Sequence, residues 1–244
     1  MKRLLFTIKY DGKNYHGWQV QQNAVTVQER FQDAVEKVFG ERLDVKGCSR
    51  TDSGVHALEY CVSLDTDMNI ACDNAVLALN TYLPDDIAAV SCREVDMSFH
   101  PRYSCKSKRY RYVIYNGKIR DPFLNGRAYH YRYDIDTEYL NAEAQAFLGK
   151  HDFSGFCSVK SDVEDTVRSI YSAEVKRDGK MVYFEFEADG FLYNMVRIMV
   201  GTLLFVNEGK IKKGELSSVI ASKDRKHAGK TAPAQGLYLI NVNY

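Results

Sequence analysis

Apolar and polar residues alternate through residues 4–10, and this period of two predicts a β-strand at the start of the chain. Thr26 and Glu29 form a capping box, which begins a helix whose apolar positions recur at helical spacing until Gly40 ends it. Further strands are predicted over 43–45, 57–64 and 87–95, with a second helix over 70–83. The first part of the chain therefore has the predicted order β-α-β-β-α-β.

The second part shows a variation on the same order. Asp136 begins a predicted helix that ends at Gly149, and Asp178-Gly179 forms a hairpin turn between two strand-like runs. The other predicted elements are strands over 109–115, 170–176, 181–188 and 237–242 and helices over 191–207 and 215–222. Antiparallel sheets with helices on one side predict an α+β fold of two ferredoxin-like halves, and a groove between two sheets is a natural place for a ligand.

The junction between the halves is predicted around Pro101, where the chain is not rich enough in glycine or serine for a flexible linker. This gives an N-terminal subdomain of residues 1–104, which carries an aspartate loop. The C-terminal subdomain, residues 105–244, carries a basic and aromatic strand and an apolar helix that contains one arginine.

Composition narrows the class of protein. A chain of 244 residues with 45% hydrophobic residues can bury a full core, and its net charge of +1 gives no evidence for or against nucleic-acid binding. Charge is nevertheless segregated, since residues 59–96 are acidic and residues 100–111 are basic. Six cysteines without a C-x-x-C pair argue against zinc, and no apolar run approaches the roughly 20 residues of a membrane span. We expect a reduced, cytoplasmic protein without a membrane segment.

The segment from Cys48 to Ala57 carries the strongest chemical signal. It places Arg50 two residues before Asp52, in a short polar turn between two strand-like runs. Small polar residues between strands are typical of an ordinary turn. The carboxylate of Asp52 could be a nucleophile, a general base, a metal ligand or a turn cap. A metal site needs more oxygen or imidazole ligands nearby, and only His56 is at hand.

Arg197 stands in a predicted helix whose neighbours are apolar on all sides. It either extends to the surface or is buried beside a carboxylate, because an unpaired buried charge costs several kcal/mol. Such a pair would keep an aspartate ionised, as a nucleophilic carboxylate must be.

Bases and aromatic residues alternate along 107–115. This pattern places Lys108 and Tyr110 on one face of a strand, with Arg109 and Arg111 on the other. Cations can hold phosphates and a tyrosine ring can stack on an unpaired base, but a solvated strand face would show the same pattern. The polar and aromatic loop 11–19 could contact RNA or simply pack on the surface.

Six segments resemble, in order, the blocks of the tRNA pseudouridine synthases of the TruA type: LLFTIKYDGKNYHGWQVQ, SRTDSGVHA, FHPRYSCKSKRYRYVIYN, HDFSGF, FLYNMVRIMVG and GLYLINVNY. Together they span almost the whole chain. The resemblance implies the pseudouridine synthase fold, with an active-site cleft between the two halves. It also implies a homodimer and an enzyme that needs neither a metal nor an organic cofactor. It also implies isomerisation of uridine to pseudouridine in the anticodon stem-loop of tRNAs, at tRNA positions 38 to 40.

The resemblance assigns a role to four residues. Asp52 is implied to be the nucleophile, and Arg50 resembles the arginine that helps to extrude the target base. Tyr110 resembles the tyrosine that stacks on the uracil, and Arg197 resembles the arginine that pairs with the catalytic aspartate. Whether Asp52 attacks carbon 6 of the uracil or carbon 1′ of the ribose stays open, and Tyr110 is a candidate for the base that removes the carbon 5 proton.

Two positions depart from the pattern. The loop usually has Gly before the arginine and Ala after the aspartate, and this chain has Ser49 and Ser53. These changes leave room for a paralogue that acts on another RNA, such as ribosomal RNA. A non-catalytic RNA-binding module and a hydrolase that uses Asp52 with His56 are the alternatives from other functional classes. The binding module gives no reason for Asp52, since a carboxylate repels phosphate.

Overall fold

The computed structural model describes residues 1–158 and 164–244. Contacts within the chain form two compact units. Unit 1 comprises Met1–Lys106 and Leu239–Tyr244, and unit 2 comprises Ser107–Tyr238. The functional division into subdomains 1–104 and 105–244 stays a prediction; the contacts differ from it by grouping the C-terminal residues with unit 1.

Unit 1 is an antiparallel sheet with two helices. Its elements are β1 (Lys2–Tyr10), α1 (Val27–Phe39), β2 (Val45–Gly47), β3 (His56–Thr66), α2 (Cys72–Tyr82) and β4 (Ile87–Val95). The strand order is β4-β1-β3, and β2 pairs with β3. The predicted order β-α-β-β-α-β is confirmed.

Local chemistry accounts for the position of α1. The Thr26 hydroxyl accepts a hydrogen bond from the Glu29 amide at the start of the helix, and Gly40 ends it with a φ of +81°. The predicted start of the helix at Thr26 and its end at Gly40 are thus confirmed. The apolar face of α1 lies on the sheet, because the rings of Phe31 and Phe6 meet edge-on at 6.1 Å and both are fully buried.

Unit 2 is a second antiparallel sheet with helices. Its elements are β5 (Ser107–Tyr115), β6 (Tyr129–His130), α3 (Thr137–Ala144), β7 (Gly149–Asp152), β8 (Val167–Asp178), β9 (Met181–Ala188), α4 (Met195–Asn207) and α5 (Leu216–Ser222). The order is β5-β9-β8-β7, and β6 pairs in parallel with β5. A last strand, β10 (Leu237–Asn243), ends the chain. Sheets and helices in both units confirm the α+β class.

Two predicted helix bounds were wrong. The helix that begins at Asp136 ends at Ala144 and passes into a 3-10 turn, so that Gly149 begins β7 instead of ending the helix. The apolar helix begins only at Met195, because Asn194 before it has a φ of +62°. The predicted hairpin is confirmed, with β8 and β9 joined through Gly179.

The core of unit 2 explains why α4 is apolar on every side. Ten of its residues are buried. Beside it, the rings of Phe147, Phe153 and Phe156 pack within 5.5–6.4 Å of one another. In the parts of the chain that the structure describes, no helix combines the length and the apolar character that crossing a membrane requires.

Candidate active site

The Asp52 loop, residues 49–55, joins β2 to β3 in unit 1. It closes as a turn in which the Val55 amide donates to the Asp52 carbonyl at 3.1 Å. Thr51 is buried, and its hydroxyl forms a 2.8 Å hydrogen bond with the hydroxyl of Tyr10. Asp52 is half-buried and Ser53 is exposed. Asp52 is therefore partly accessible to solvent, on a turn whose backbone is held by hydrogen bonds.

The loop between β1 and α1, residues 11–19, packs against the Asp52 loop. The Trp18 amide donates to the Thr51 carbonyl, and the Gly54 amide donates to the Tyr15 carbonyl, each at 3.1 Å. The hydroxyl of Tyr15 donates to Asp86, and burial together with this bond raises the pKa of Tyr15 above its usual value. Sequence reasoning left the role of this loop open; the structure makes it the support of the Asp52 loop.

Two glycines make this support possible. Gly17 has a φ of +86°, and a Cβ atom there would lie 2.3 Å from the Thr51 carbonyl oxygen. A Cβ atom on Gly12 would lie 1.9 Å from the Val55 carbonyl oxygen. Real Cβ atoms do not approach oxygen so closely, so the two backbones touch only because both positions lack a side chain.

His56 lies on the buried side of the same loop. Its side chain is 2% exposed, and its Nδ1 accepts a hydrogen bond from the Gly12 amide at 3.0 Å and lies 3.1 Å from an Asp11 oxygen. These contacts give this ring nitrogen a structural role. Within residues 1–158 and 164–244, no cluster of three or more His, Cys, Asp or Glu side chains could hold a metal ion.

Arg50 precedes the turn and is exposed. Its guanidinium makes no hydrogen bond or ion pair with any residue that the structure describes. The backbone at its side is fixed, because the hydroxyl of the buried Tyr60 donates to the Ser49 carbonyl. Arg50 is thus a solvent-facing cation on a rigid base, available to an anionic ligand.

Arg197 lies in the first turn of α4 in unit 2. Its Nε donates to the Ala232 carbonyl and its Nη1 to the Asn194 side-chain oxygen, each at 2.7 Å. Asn194 is itself held by a 2.9 Å bond from its amide to the Ser158 hydroxyl. The guanidinium is therefore half-buried and fixed on two sides. The pairing of Arg197 with Asp52 stays a prediction.

Tyr110 lies on the buried face of β5. Its side chain is 6% exposed, and its ring meets Phe191 edge-on at 5.1 Å. Across the sheet it pairs with Phe186 of β9. Apolar contacts thus set the plane of the ring. Lys108, two residues before it, is partly exposed.

Arg109 and Arg111 lie on the opposite face of β5 and converge on Glu185 of β9. Each guanidinium lies 2.7 Å from a Glu185 oxygen, and the Lys176 ammonium lies 3.2 Å away. Burial alone would raise the pKa of Glu185, but hydrogen bonds from Arg111 and Lys176 and the charge of the arginines lower it. Sequence reasoning missed Glu185. The available signal was an acid between Phe184 and Phe186 in a predicted strand.

The structure places the predicted site residues in two groups. Arg50 and Asp52 share one loop of unit 1. Tyr110 and Arg197 lie in unit 2, as do Lys108, Arg109 and Arg111.

Comparisons with known proteins agree along the whole chain. A family model described as tRNA pseudouridine synthase matches residues 7–104 and 144–244. A protein named tRNA pseudouridine synthase A from Acetivibrio thermocellus is 49% identical over 244 residues, covering 100% of both chains. Proteins of the same name from a Thermoanaerobacter species and from Clostridium acetobutylicum are 46% and 44% identical, again over 100% of both chains.

Among solved structures, a chain from a Cbf5-Nop10-Gar1 complex matches 96% of this chain and 57% of its own length. Its sequence identity is 10% and its TM-score is 0.37, a likeness too weak to support an argument.

Replacing Gly17 with alanine tests the contact between the two loops. We expect Gly17→Ala to lower the free energy of unfolding by well over ~1 kcal/mol. The added methyl group would clash with the Thr51 carbonyl, and alanine would also have to adopt a positive φ at this position. The matched control is Gly40→Ala, which has a similar φ of +81° but no atom within 4 Å of the added Cβ. Urea unfolding measures both. Equal losses would show that the loops do not depend on this contact.

Replacing Glu185 with glutamine tests the buried charge cluster. We expect Glu185→Gln to lower the free energy of unfolding by about 1–3 kcal/mol at pH 7, because the arginines lose a charged acceptor. The pKa of Glu185 is depressed in the folded state, so its contribution is complete above the unfolded value of about 4.3 and is lost as the pH falls through the folded value. Unfolding of both proteins between pH 3 and 7 measures this. A difference that does not shrink in acid would contradict it.

Proposed function

Because the chain belongs to the tRNA pseudouridine synthase family, we propose that it isomerises uridine to pseudouridine in tRNA. The observation that carries the proposal is the match of the whole chain, at 49% identity, to a relative named for this activity. The resemblance that the sequence blocks indicated, to the family and its α+β fold, is thereby confirmed.

We propose that the target uridines lie in the anticodon stem-loop, at tRNA positions 38 to 40, as the sequence resemblance implies. The two departures in the Asp52 loop do not argue for another RNA. Ser53 donates to the Tyr15 carbonyl at 3.3 Å, and the Ser49 hydroxyl bonds to the Arg50 carbonyl at the same distance. Both hydroxyls therefore form hydrogen bonds with nearby backbone carbonyls and leave the nucleophile unchanged.

In the proposed reaction Asp52 is the nucleophile. The target uridine leaves its stack, at a cost of a few kcal/mol, and the carboxylate attacks carbon 6 of the uracil or carbon 1′ of the ribose. The glycosidic C–N bond breaks, the uracil rotates, and its carbon 5 bonds to carbon 1′. Loss of the carbon 5 proton, with release of Asp52, completes the C-glycoside. The hydrogen bonds that hold the Asp52 loop before and after Asp52 support this role, because a nucleophile held in one position needs little reorganisation.

We propose that Arg197 keeps the Asp52 carboxylate ionised. Two hydrogen bonds fix its guanidinium, which supports a role that needs a cation at a set position. Arg50, exposed on its rigid base, would enter the space that the flipped base leaves. Tyr110 would stack on the uracil, an interaction worth about 1–3 kcal/mol per base. Its contact with Phe191 supports this role by fixing the ring.

Three cations of β5 were predicted to contact RNA, and we retain that proposal for Lys108, Arg109 and Arg111. Arg109 and Arg111 lie on the opposite face of the strand from Lys108 and also pair with the buried Glu185, which fixes the position of their guanidinium groups. We further propose that the enzyme works as a cytoplasmic homodimer without a metal or an organic cofactor, as the resemblance implies.

Tritium release tests the nucleophile. With unmodified tRNA that carries carbon-5-tritiated uridine, and with a chelator present, we expect the wild type to release tritium and Asp52→Ala to release none. The variant should still bind the tRNA, since only the reacting carboxylate is removed. Asp44→Ala is the matched control, because it removes an exposed carboxylate from the same unit and should leave release unchanged.

Three outcomes would count against this assignment. Release by Asp52→Ala would exclude Asp52 as the nucleophile, and loss of wild-type activity in the chelator alone would favour a metal-dependent reaction. Tight tRNA binding without release by the wild type would favour an RNA-binding module or another substrate, with ribosomal RNA as the next one to try.

Arg197→Met tests the charge beside the nucleophile. We expect turnover to fall by about 100-fold or more, because the attacking carboxylate loses the cation proposed to keep it ionised. Arg120→Met, which changes an exposed arginine, is the control. Unfolding curves should accompany the assay, since Arg197 also bonds to Asn194 and Ala232. A folded Arg197→Met protein with near-normal turnover would refute the role.

A further inference from the structure

Unit 2 contains a cavity of about 430 Å³ that includes none of the residues proposed for catalysis. Residues 129–133 form one wall, and residues 230–233 form a second wall. The floor comes from the α4 residues Gly201, Leu204 and Phe205, with Glu208 just beyond the helix. This volume is in the range of about 300–1,000 Å³ that small-molecule sites occupy, so the space can take a group of the size of one nucleotide.

The first wall, residues 129–133, is held by β5. It begins as strand β6, in which Tyr129 pairs with Ile114. Beyond that pair, the side-chain amide of Asn116 donates to the carbonyls of both Tyr131 and Tyr133, each at 2.7 Å. The Asn116 side chain thus fixes the backbone of this wall at Tyr131 and Tyr133.

The second wall, residues 230–233, lies directly on α4. A Cβ atom on Gly201 would lie 1.7 Å from the Lys230 carbonyl oxygen, so the segment approaches as closely as glycine permits. The Gly229 amide donates to the Thr202 hydroxyl at 2.9 Å, and the Ala232 amide donates to the Arg197 carbonyl at 3.1 Å. Both walls are therefore built by specific contacts, and the cavity is a preformed feature.

Aromatic rings make up the first wall. The ring of Tyr131 lies 6.0 Å from that of Tyr129 and 5.5 Å from that of Tyr133. Tyr131 is buried, whereas Tyr133 is 56% exposed. An exposed ring backed by fixed neighbours offers the kind of surface on which a base stacks.

The lining of the cavity has an excess of positive charge. It contains three cations, Arg132, Lys210 and Lys230, and one carboxylate, Glu208. Glu208 accepts from the Tyr131 hydroxyl at 2.9 Å and pairs with Lys210. Arg132 lies over the Tyr133 ring, 5.1 Å from its centre, and its Nη2 donates to the Tyr133 hydroxyl at 3.1 Å. The Lys230 ammonium has no hydrogen bond or ion pair with residues 1–158 or 164–244. Lys230 and the Arg132 donors that do not reach the Tyr133 hydroxyl are thus available to an anion.

We propose that this cavity binds an unpaired nucleotide of the RNA substrate other than the target uridine. The base stacks on Tyr133, and Lys230 and Arg132 hold a flanking phosphate. Positive charge beside exposed aromatic surface is the combination with which proteins bind single-stranded nucleic acid. The inference rests on the proposed function only in taking RNA as the ligand.

Binding of fluorescently labelled, unmodified tRNA, followed by anisotropy on the full chain, tests the proposal. We expect Tyr133→Ala to weaken binding by about tenfold, whereas Tyr133→Phe, which keeps the ring, retains most of the affinity. Lys230→Gln should weaken binding several-fold and reduce the salt slope, d log K/d log[salt], by about 0.7–0.9. The matched controls are Tyr171→Ala, at a tyrosine that is also 56% exposed, and Lys226→Gln, at an exposed lysine outside the cavity.

The outcomes separate this proposal from the proposed function. Equal affinities of the cavity variants and their controls would overturn it, even if the wild type releases tritium from tRNA. Selective loss of binding in the cavity variants would support it, even if no tritium is released and the enzymatic function fails. Sedimentation of each variant completes the test. If Tyr133→Ala changes the number of copies in the assembly, the cavity is a contact between copies and the proposal is overturned.

Discussion

The close approach of two loop backbones in unit 1 is the constraint on which the candidate site depends. The loop of residues 11–19 reaches the Asp52 loop only because Gly17 and Gly12 carry no side chain. In return, the amide of Trp18 and the carbonyl of Tyr15 bond to the backbone on either side of Asp52. A polar turn between two strands would otherwise have several conformations of similar energy. The contact selects one of them, and the proposed role of Asp52 as a nucleophile requires such a fixed position.

A different principle governs the basic strand of unit 2. Arg109 and Arg111 belong to the segment whose alternation of bases and aromatic residues suggested RNA contact. The buried carboxylate of Glu185 binds both of them, because a carboxylate removed from water must be neutralised by hydrogen-bonded cations. The same strand turns Tyr110 and Tyr112 inward. Its alternation of residue types therefore reflects a strand with one buried aromatic face and one ion-paired face, and the RNA contacts of its cations stay a proposal.

The features that could be predicted from the sequence are those that depend on residues close together in the chain. The cap at Thr26, the hairpin at Gly179 and the turn that carries Asp52 each depend on neighbours within a few residues, and all are present. The start of α4 was missed because the left-handed φ of Asn194 accompanies side-chain contacts with Ser158 and Arg197 that no local pattern reveals. Glu185 was missed because its partners lie on the neighbouring strand and depend on the register of β5 against β9.

Helix α4 contributes residues to two features of unit 2. Its first turn carries Arg197, and one turn later Gly201 lies on the floor of the cavity. Ala232 belongs to both, since it lines the cavity, accepts from the Arg197 side chain and donates to the Arg197 carbonyl. A ligand in the cavity would contact the segment that fixes this guanidinium. Closely packed backbones transmit small displacements because they have no free volume to absorb them. Through Ala232, the cavity proposed to bind a nucleotide is thus in contact with Arg197, the cation proposed to keep Asp52 ionised.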